Sequence, residues 1–145
     1  MAESPIVCID ASFVLRLLLG GPGGNEAEIL WKEWAHNGVQ AAAPELIFYE
    51  ITNALHRLSS NAIVAFEEAE ETLEIALGLE INTVSEEFLH RKALLFARKC
   101  SLKAAYDAHY LALAESLEAN FWTADRRLMN AVAEKLSWVK CLGAS

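Results

Sequence analysis

Three cysteines and three prolines, with only seven glycines, are all that this 145-residue chain carries of the residues that staple or break a fold. Cys8, Cys100 and Cys141 are odd in number and show no C-x-x-C spacing, which argues against a disulfide framework or a redox motif. They read as small buried hydrophobes of a reducing compartment, so the expected location is the cytoplasm. His36, His56, His90 and His109 are too scattered to furnish a zinc site. No apolar run approaches the ~20 residues that span a bilayer. No basic segment followed by a long apolar core opens the chain, so neither a membrane span nor a secretory signal is expected. The single breaker cluster, Gly20-Gly21-Pro22-Gly23-Gly24, follows a helical pattern and lacks the Gly-Lys-Ser/Thr ending of a phosphate loop. It reads as a plain connection. Positive charge is also short: 12 basic residues against 20 acidic ones leave a net charge of −8. That balance argues against a general nucleic-acid binder and suits a basic protein partner. Arg16, Arg57, Arg126 and Arg127 nevertheless fall beside the segments that prove of interest.

What is present is a chain 54% hydrophobic, enough to fill one core, and a single domain over residues 1–145 is expected. Short apolar or β-branched runs predict strands over residues 6–9, 39–43, 80–84, 121–123 and 138–142. Helical periodicity covers residues 13–19, 25–36, 45–58, 65–77, 106–118 and 126–134, and another helix runs from a Ser85 cap to 99. Asn25 is the expected cap of the second helix, and Pro44 is expected to start the third. Trp31 and Trp34 share a helix face, for core packing or for a dimer surface. The glutamates at 67, 68, 70, 71 and 74 read as a solvated face. Strands alternating with helices predict an α/β fold, a parallel sheet covered on both faces. Its ligand crevice should lie beyond the C-terminal strand ends, where strand order reverses.

Four acids are then notable. Asp10 ends the run Ile6-Val7-Cys8-Ile9, and Asp125 follows Phe121-Trp122-Thr123-Ala124. Asp107 heads a helix whose apolar stripe is Tyr110, Leu111, Ala114 and Leu117. Each of these three also has an ordinary use as a helix cap. Glu50 does not. It lies four residues from Leu46, three from Ile47 and four from Ala54, inside its helix's apolar stripe. A buried carboxylate needs an arginine, a proton or a metal. Four carboxylates converging on one place suit a divalent ion with oxygen ligands, and hence phosphodiester chemistry. Ser12, Asn53 and Thr123 stand close enough in sequence to orient such ligands, or to cap, brace and pair in the ordinary way. A haloacid-dehalogenase-type phosphatase needs an acid where Ser12 stands, and a response-regulator receiver needs one where Ile9 stands.

These segments resemble the PIN-domain family, especially the small VapC-type toxin ribonucleases. The resemblance rests on Ile9-Asp10-Ala11-Ser12, on Pro44 through Glu50 to Asn53, on Tyr106-Asp107 with the helix that follows, and on Thr123-Ala124-Asp125-Arg126. It covers nearly the whole chain. It implies a three-layer α/β/α fold with a central parallel sheet of strand order 3-2-1-4-5. It implies a Mg²⁺- or Mn²⁺-dependent endoribonuclease with Asp10, Glu50, Asp107 and Asp125 as metal ligands. It further implies a homodimer, silenced by a cognate antitoxin in a type II toxin–antitoxin pair. A catalytically silent relative acting through a protein partner is the alternative. His109 stands where the family pattern has a small or apolar residue, either to touch substrate or as a surface residue.

Overall fold

The computed structural model describes residues 5–143. The expectation of one domain over 1–145 therefore includes residues 1–4 and 144–145, which lie outside the described residues.

Strand β1 (Ile6–Ile9) passes through Asp10 into α1 (Ala11–Leu19), and the glycine loop leads to α2 (Gly24–His36). There follow β2 (Gln40–Pro44), α3 (Leu46–Ser60), α4 (Phe66–Gly78), β3 (Ile81–Val84), α5 (Glu87–Lys99) and α6 (Tyr106–Ser116). Strand β4 (Phe121–Thr123), α7 (Arg126–Val132) and β5 (Val139–Cys141) complete the described chain. All four strand pairings are parallel, and the sheet order is β3-β2-β1-β4-β5. This is the expected three-layer α/β/α arrangement, with helices flanking the sheet.

Strand β1 is central because it is apolar throughout, so both faces can be covered. Cys8 pairs with Ala42 on one side and with Phe121 on the other. The order of connection reverses between β1 and β4, which places the ends of those two strands side by side. Helix α6 is apolar nearly all round and buries Ala108 and then Tyr110 to Ala114 without a break. Such a helix must be covered on several sides. It packs on α5 and on β1, β2 and β4. The three cysteines are all buried and free, and no helix among the described residues is long and apolar enough to cross a membrane.

Three local expectations are corrected. Gly23, not Asn25, is the residue before α2; its φ is +84°, and no side chain caps that helix. A Cβ on Gly23 would come within 2.8 Å of the Leu142 Cβ, so close packing against the chain's far end decides the helix start. Pro44 ends β2 instead of opening α3: it pairs with Val84, and the next residue's amide, Glu45 N, donates to Val84 O over 3.1 Å. Strand pairing there extends past the proline, which needs no N–H at a strand end. Glu86 rather than Ser85 precedes α5, without a side-chain cap. Trp31 and Trp34 are partly buried around Phe13, with ring centroids 6.5 and 5.4 Å from it, so the pair serves core packing.

Candidate active site

Asp10 and Asp125 leave neighbouring parallel strands at the same sheet edge, where strand order reverses. Asp10 is only 5% exposed and caps α1. Its Oδ1 accepts from Ser12 Oγ at 2.6 Å and from the Phe13 amide at 3.0 Å. Its Oδ2 accepts from Thr123 Oγ1 at 2.6 Å. A carboxylate has about four acceptor positions, so three are used and one on Oδ2 is left.

Ser12 and Thr123 tie the two strand ends together. Ser12 Oγ accepts from the Ala124 amide at 2.8 Å, and Thr123 Oγ1 accepts from the Asp125 amide at 3.0 Å. Each hydroxyl has one proton, and each gives it to Asp10. The 3.1 Å between the two hydroxyl oxygens is then a close approach, with no proton left to share while Asp10 is ionised. Asp125 caps α7: its Oδ1 accepts from the amides of Arg127 at 3.0 Å and Leu128 at 3.2 Å.

The helices bring the other two acids. Glu50 is half-buried on α3, and its Oε1 accepts from the Tyr110 hydroxyl of α6 at 2.5 Å. Asp107, in the first turn of α6, is half-buried, and its carboxylate makes no hydrogen bond among the described residues. Burial pushes the Asp107 carboxyl up to about 6, the charges of Asp125 and Glu50 add to the rise, and Arg127 offsets part of it. Burial likewise lifts Asp10 to about 6; its hydrogen bonds from Ser12, Thr123 and Phe13 pull back, and Asp107 pushes further up. Glu50 is raised by burial, against the Tyr110 bond and the nearby His109. The four acids thus share one electrostatic neighbourhood that is short of positive charge.

Asn53, one helical turn beyond Glu50, is exposed and makes no side-chain hydrogen bond to a carboxylate among the described residues. Tyr110 is the residue that sequence reasoning passed over as part of an apolar stripe. A buried tyrosine needs a partner for its hydroxyl, and Tyr110 stands three residues from Asp107 on the same helix face. Burial and the surrounding carboxylates push its hydroxyl far above the ordinary tyrosine range, so it donates and does not ionise. His109 is half-buried and engaged at both nitrogens. Nδ1 donates to Ala105 O at 2.8 Å, which leaves Nε2 to accept from His90 Nδ1 at 3.0 Å.

The donor set is all carboxylate oxygen, the hard chemistry that suits Mg²⁺ or Mn²⁺ and not a zinc or copper site. Three of its members are raised from their ordinary values, as expected where a cation would relieve them. As the side chains stand, no three His, Cys, Asp or Glu groups among the described residues close around a point that an ion could occupy. Capping ties Asp125 to α7, and Tyr110 holds one oxygen of Glu50.

A family model of the PIN domain matches residues 7–135. The fold is similar to a solved structure described as a toxin–antitoxin complex from Klebsiella pneumoniae. The identity is 17%, over 92% of this chain and 95% of that one, with a TM-score of 0.67. It is also similar to PAE2754 from Pyrobaculum aerophilum, at 22% identity over 90% of this chain and 87% of that one, with a TM-score of 0.66. No curated protein matches the chain.

Proposed function

This chain belongs to the PIN domain family, and from that premise we propose that it is a metal-dependent endoribonuclease, the toxin of a type II toxin–antitoxin pair. The observation that carries the reading is the Asp107 carboxyl, half-buried within the influence of Asp125 and Glu50 and held at about 6. An acid in that position, with no side-chain hydrogen bond of its own, is offered only the N-terminus of α6 and the charge of Arg127 as favourable partners. It is explained by a cation that the neighbouring acids share.

In this reading Asp10 is the fixed ligand, because three donors hold it and one Oδ2 position is left. Asp107 offers both oxygens, Asp125 its Oδ2, and Glu50 its Oε2. Tyr110 steers Glu50 by holding Oε1, and Thr123 keeps the two strand ends in register. A bound Mg²⁺ or Mn²⁺ supplies an activated water and neutralises the charge that builds on phosphorus. The protein's own part is to hold four anions at one edge and to keep Asp10 away from solvent.

The rest of the reading follows the family resemblance. The 145-residue chain acts as a single cytoplasmic domain, pairs with a second copy, and is held silent by a cognate antitoxin whose basic residues meet the acidic edge. The Klebsiella structure of similar fold, itself a toxin–antitoxin complex, supports such a partner.

Cleavage of RNA by the purified protein tests it. Activity is expected with Mg²⁺ or Mn²⁺, absent in EDTA, and lost in Asp10→Asn and Asp107→Asn. Full activity in EDTA, or in both variants, would overturn it. One observation favours a second reading, a silent domain acting through its partner: no three donors stand close enough to hold an ion. Metal-loaded protein inert on varied RNAs, yet tightly bound to the product of a neighbouring gene, would favour that reading.

A further inference from the structure

Beside the carboxylates lies a cleft of about 430 Å³ between α1 and α3. It begins at Ser12 and Ala124, the bonded pair that flanks Asp10 and Asp125. Its walls carry Arg16, Arg57 and Asn61 among leucines, and no acidic residue. Two arginines without an acid between them stand out in a chain of net charge −8. Of the six arginines, Arg91 is paired with Glu87, whereas Arg57 has no partner among the described residues. Arg16 Nε is buried with no hydrogen-bond partner. Buried donors are nearly always satisfied, so this one marks a place where an acceptor belongs. The glycine loop accommodates the same side chain: a Cβ on Gly21 would lie 3.2 Å from Arg16 Nη1, and Gly21 has φ +95°.

We propose that this cleft is a phosphate subsite for the RNA strand, in which Arg16 and Arg57 hold the phosphodiester next to the one presented to the carboxylates. The inference rests on the ribonuclease reading and adds where the strand runs. An acidic edge repels RNA, so a strand must be held by cations to one side of it. Guanidinium groups suit phosphate oxygens, which they can grip through two parallel N–H bonds. Asn61 adds an uncharged donor, and the leucines offer an apolar wall to the attached nucleoside. The volume lies within the range of small-ligand sites.

The test is binding of a fluorescent, uncleavable 2′-deoxy oligonucleotide to the full chain in EDTA, read by anisotropy over a salt series. Arg57→Ala is expected to weaken binding about tenfold and to lower the slope of log K against log salt by about 0.7. Arg57→Glu should weaken it further, and Arg57→Lys should restore part of it. Arg98→Ala, which removes the same charge from α5, should leave binding unchanged. Arg16→Gln should act like Arg57→Ala, with its folding checked by circular dichroism; if it does not fold, the Arg57 series decides. The proposal is overturned if wild-type protein does not bind, if Arg57→Ala and Arg57→Glu bind like wild type, or if Arg98→Ala weakens binding equally. It is also overturned if an acidic peptide occupies the cleft and the oligonucleotide does not displace it. Protein that binds through Arg57 but never cuts RNA defeats the nuclease reading alone. Protein that cuts RNA with unchanged KM in Arg57→Glu defeats this inference alone.

Discussion

The Tyr110 hydroxyl donates to Glu50 Oε1 over 2.5 Å, which joins α6 to α3 beneath the acidic edge. The Tyr110 ring also stacks on Phe121 of β4, 5.8 Å between centroids, so one side chain of α6 touches both the helix of Glu50 and the strand that leads to Asp125. Tyr110→Phe keeps the ring and removes the bond. The expected loss of stability is about 1.5–3 kcal/mol, as for other hydrogen bonds to charged groups. The Glu50 carboxyl should rise further, because the lost bond had been lowering it. Urea unfolding and a carboxyl titration by NMR measure the two effects.

Stability of the metal-free protein should depend on pH in an unusual direction. Asp10 and Asp107 sit at about 6 in the folded chain against an ordinary 3.8. A carboxyl that holds its proton more tightly when folded stabilises the fold while protonated. That contribution is complete below about pH 4 and is lost as pH rises through about 6. Asp107→Asn, which cannot ionise, should therefore melt higher than wild type at neutral pH and show a flatter profile across this window. Added Mg²⁺ should raise the wild-type Tm more at neutral pH than at about pH 5. A wild-type advantage at neutral pH without metal would contradict this account.

Thr123→Val tests the tie between strand ends. It keeps the shape but removes the donor to Asp10 and leaves the Asp125 amide without its acceptor. Thermal unfolding should show a loss of about 2 kcal/mol. If the nuclease reading holds, affinity for Mn²⁺ should fall by about tenfold or more, since groups that orient ligands carry that much.

Two glycines should respond with opposite signs. Gly23→Ala combines a left-handed backbone with a 2.8 Å approach to Leu142 and should cost about 2 kcal/mol or more. At Gly78, the last residue of α4, an added Cβ meets nothing within 4 Å. Gly78→Ala should stabilise by about 0.5 kcal/mol. Chemical denaturation of both variants measures the contrast.

Much of this architecture was legible because its signals are local. The apolar run at residues 6–9 reads as a strand covered on both faces, and β1 is central. Glu50 breaks an apolar stripe, and the structure half-buries it. Contacts between distant segments were not legible. The start of α2 depends on Leu142, more than a hundred residues away, so the cap rule favoured Asn25 over Gly23. The partner of Tyr110 lies on another helix, so periodicity alone made it one more apolar residue. Asn53 lies three residues from Glu50, yet it is exposed where Glu50 is half-buried, because a helix turns such neighbours only partly to the same side.

Asp10 and Asp107 differ in what else depends on them. Asp10 starts α1 and anchors two hydroxyls, so its replacement disturbs the scaffold along with any chemistry. Asp107 supports nothing by hydrogen bonding among the described residues. If the proposed nuclease reading holds, an intact but inert decoy of this protein, still able to occupy a partner, is therefore best made by changing Asp107 alone.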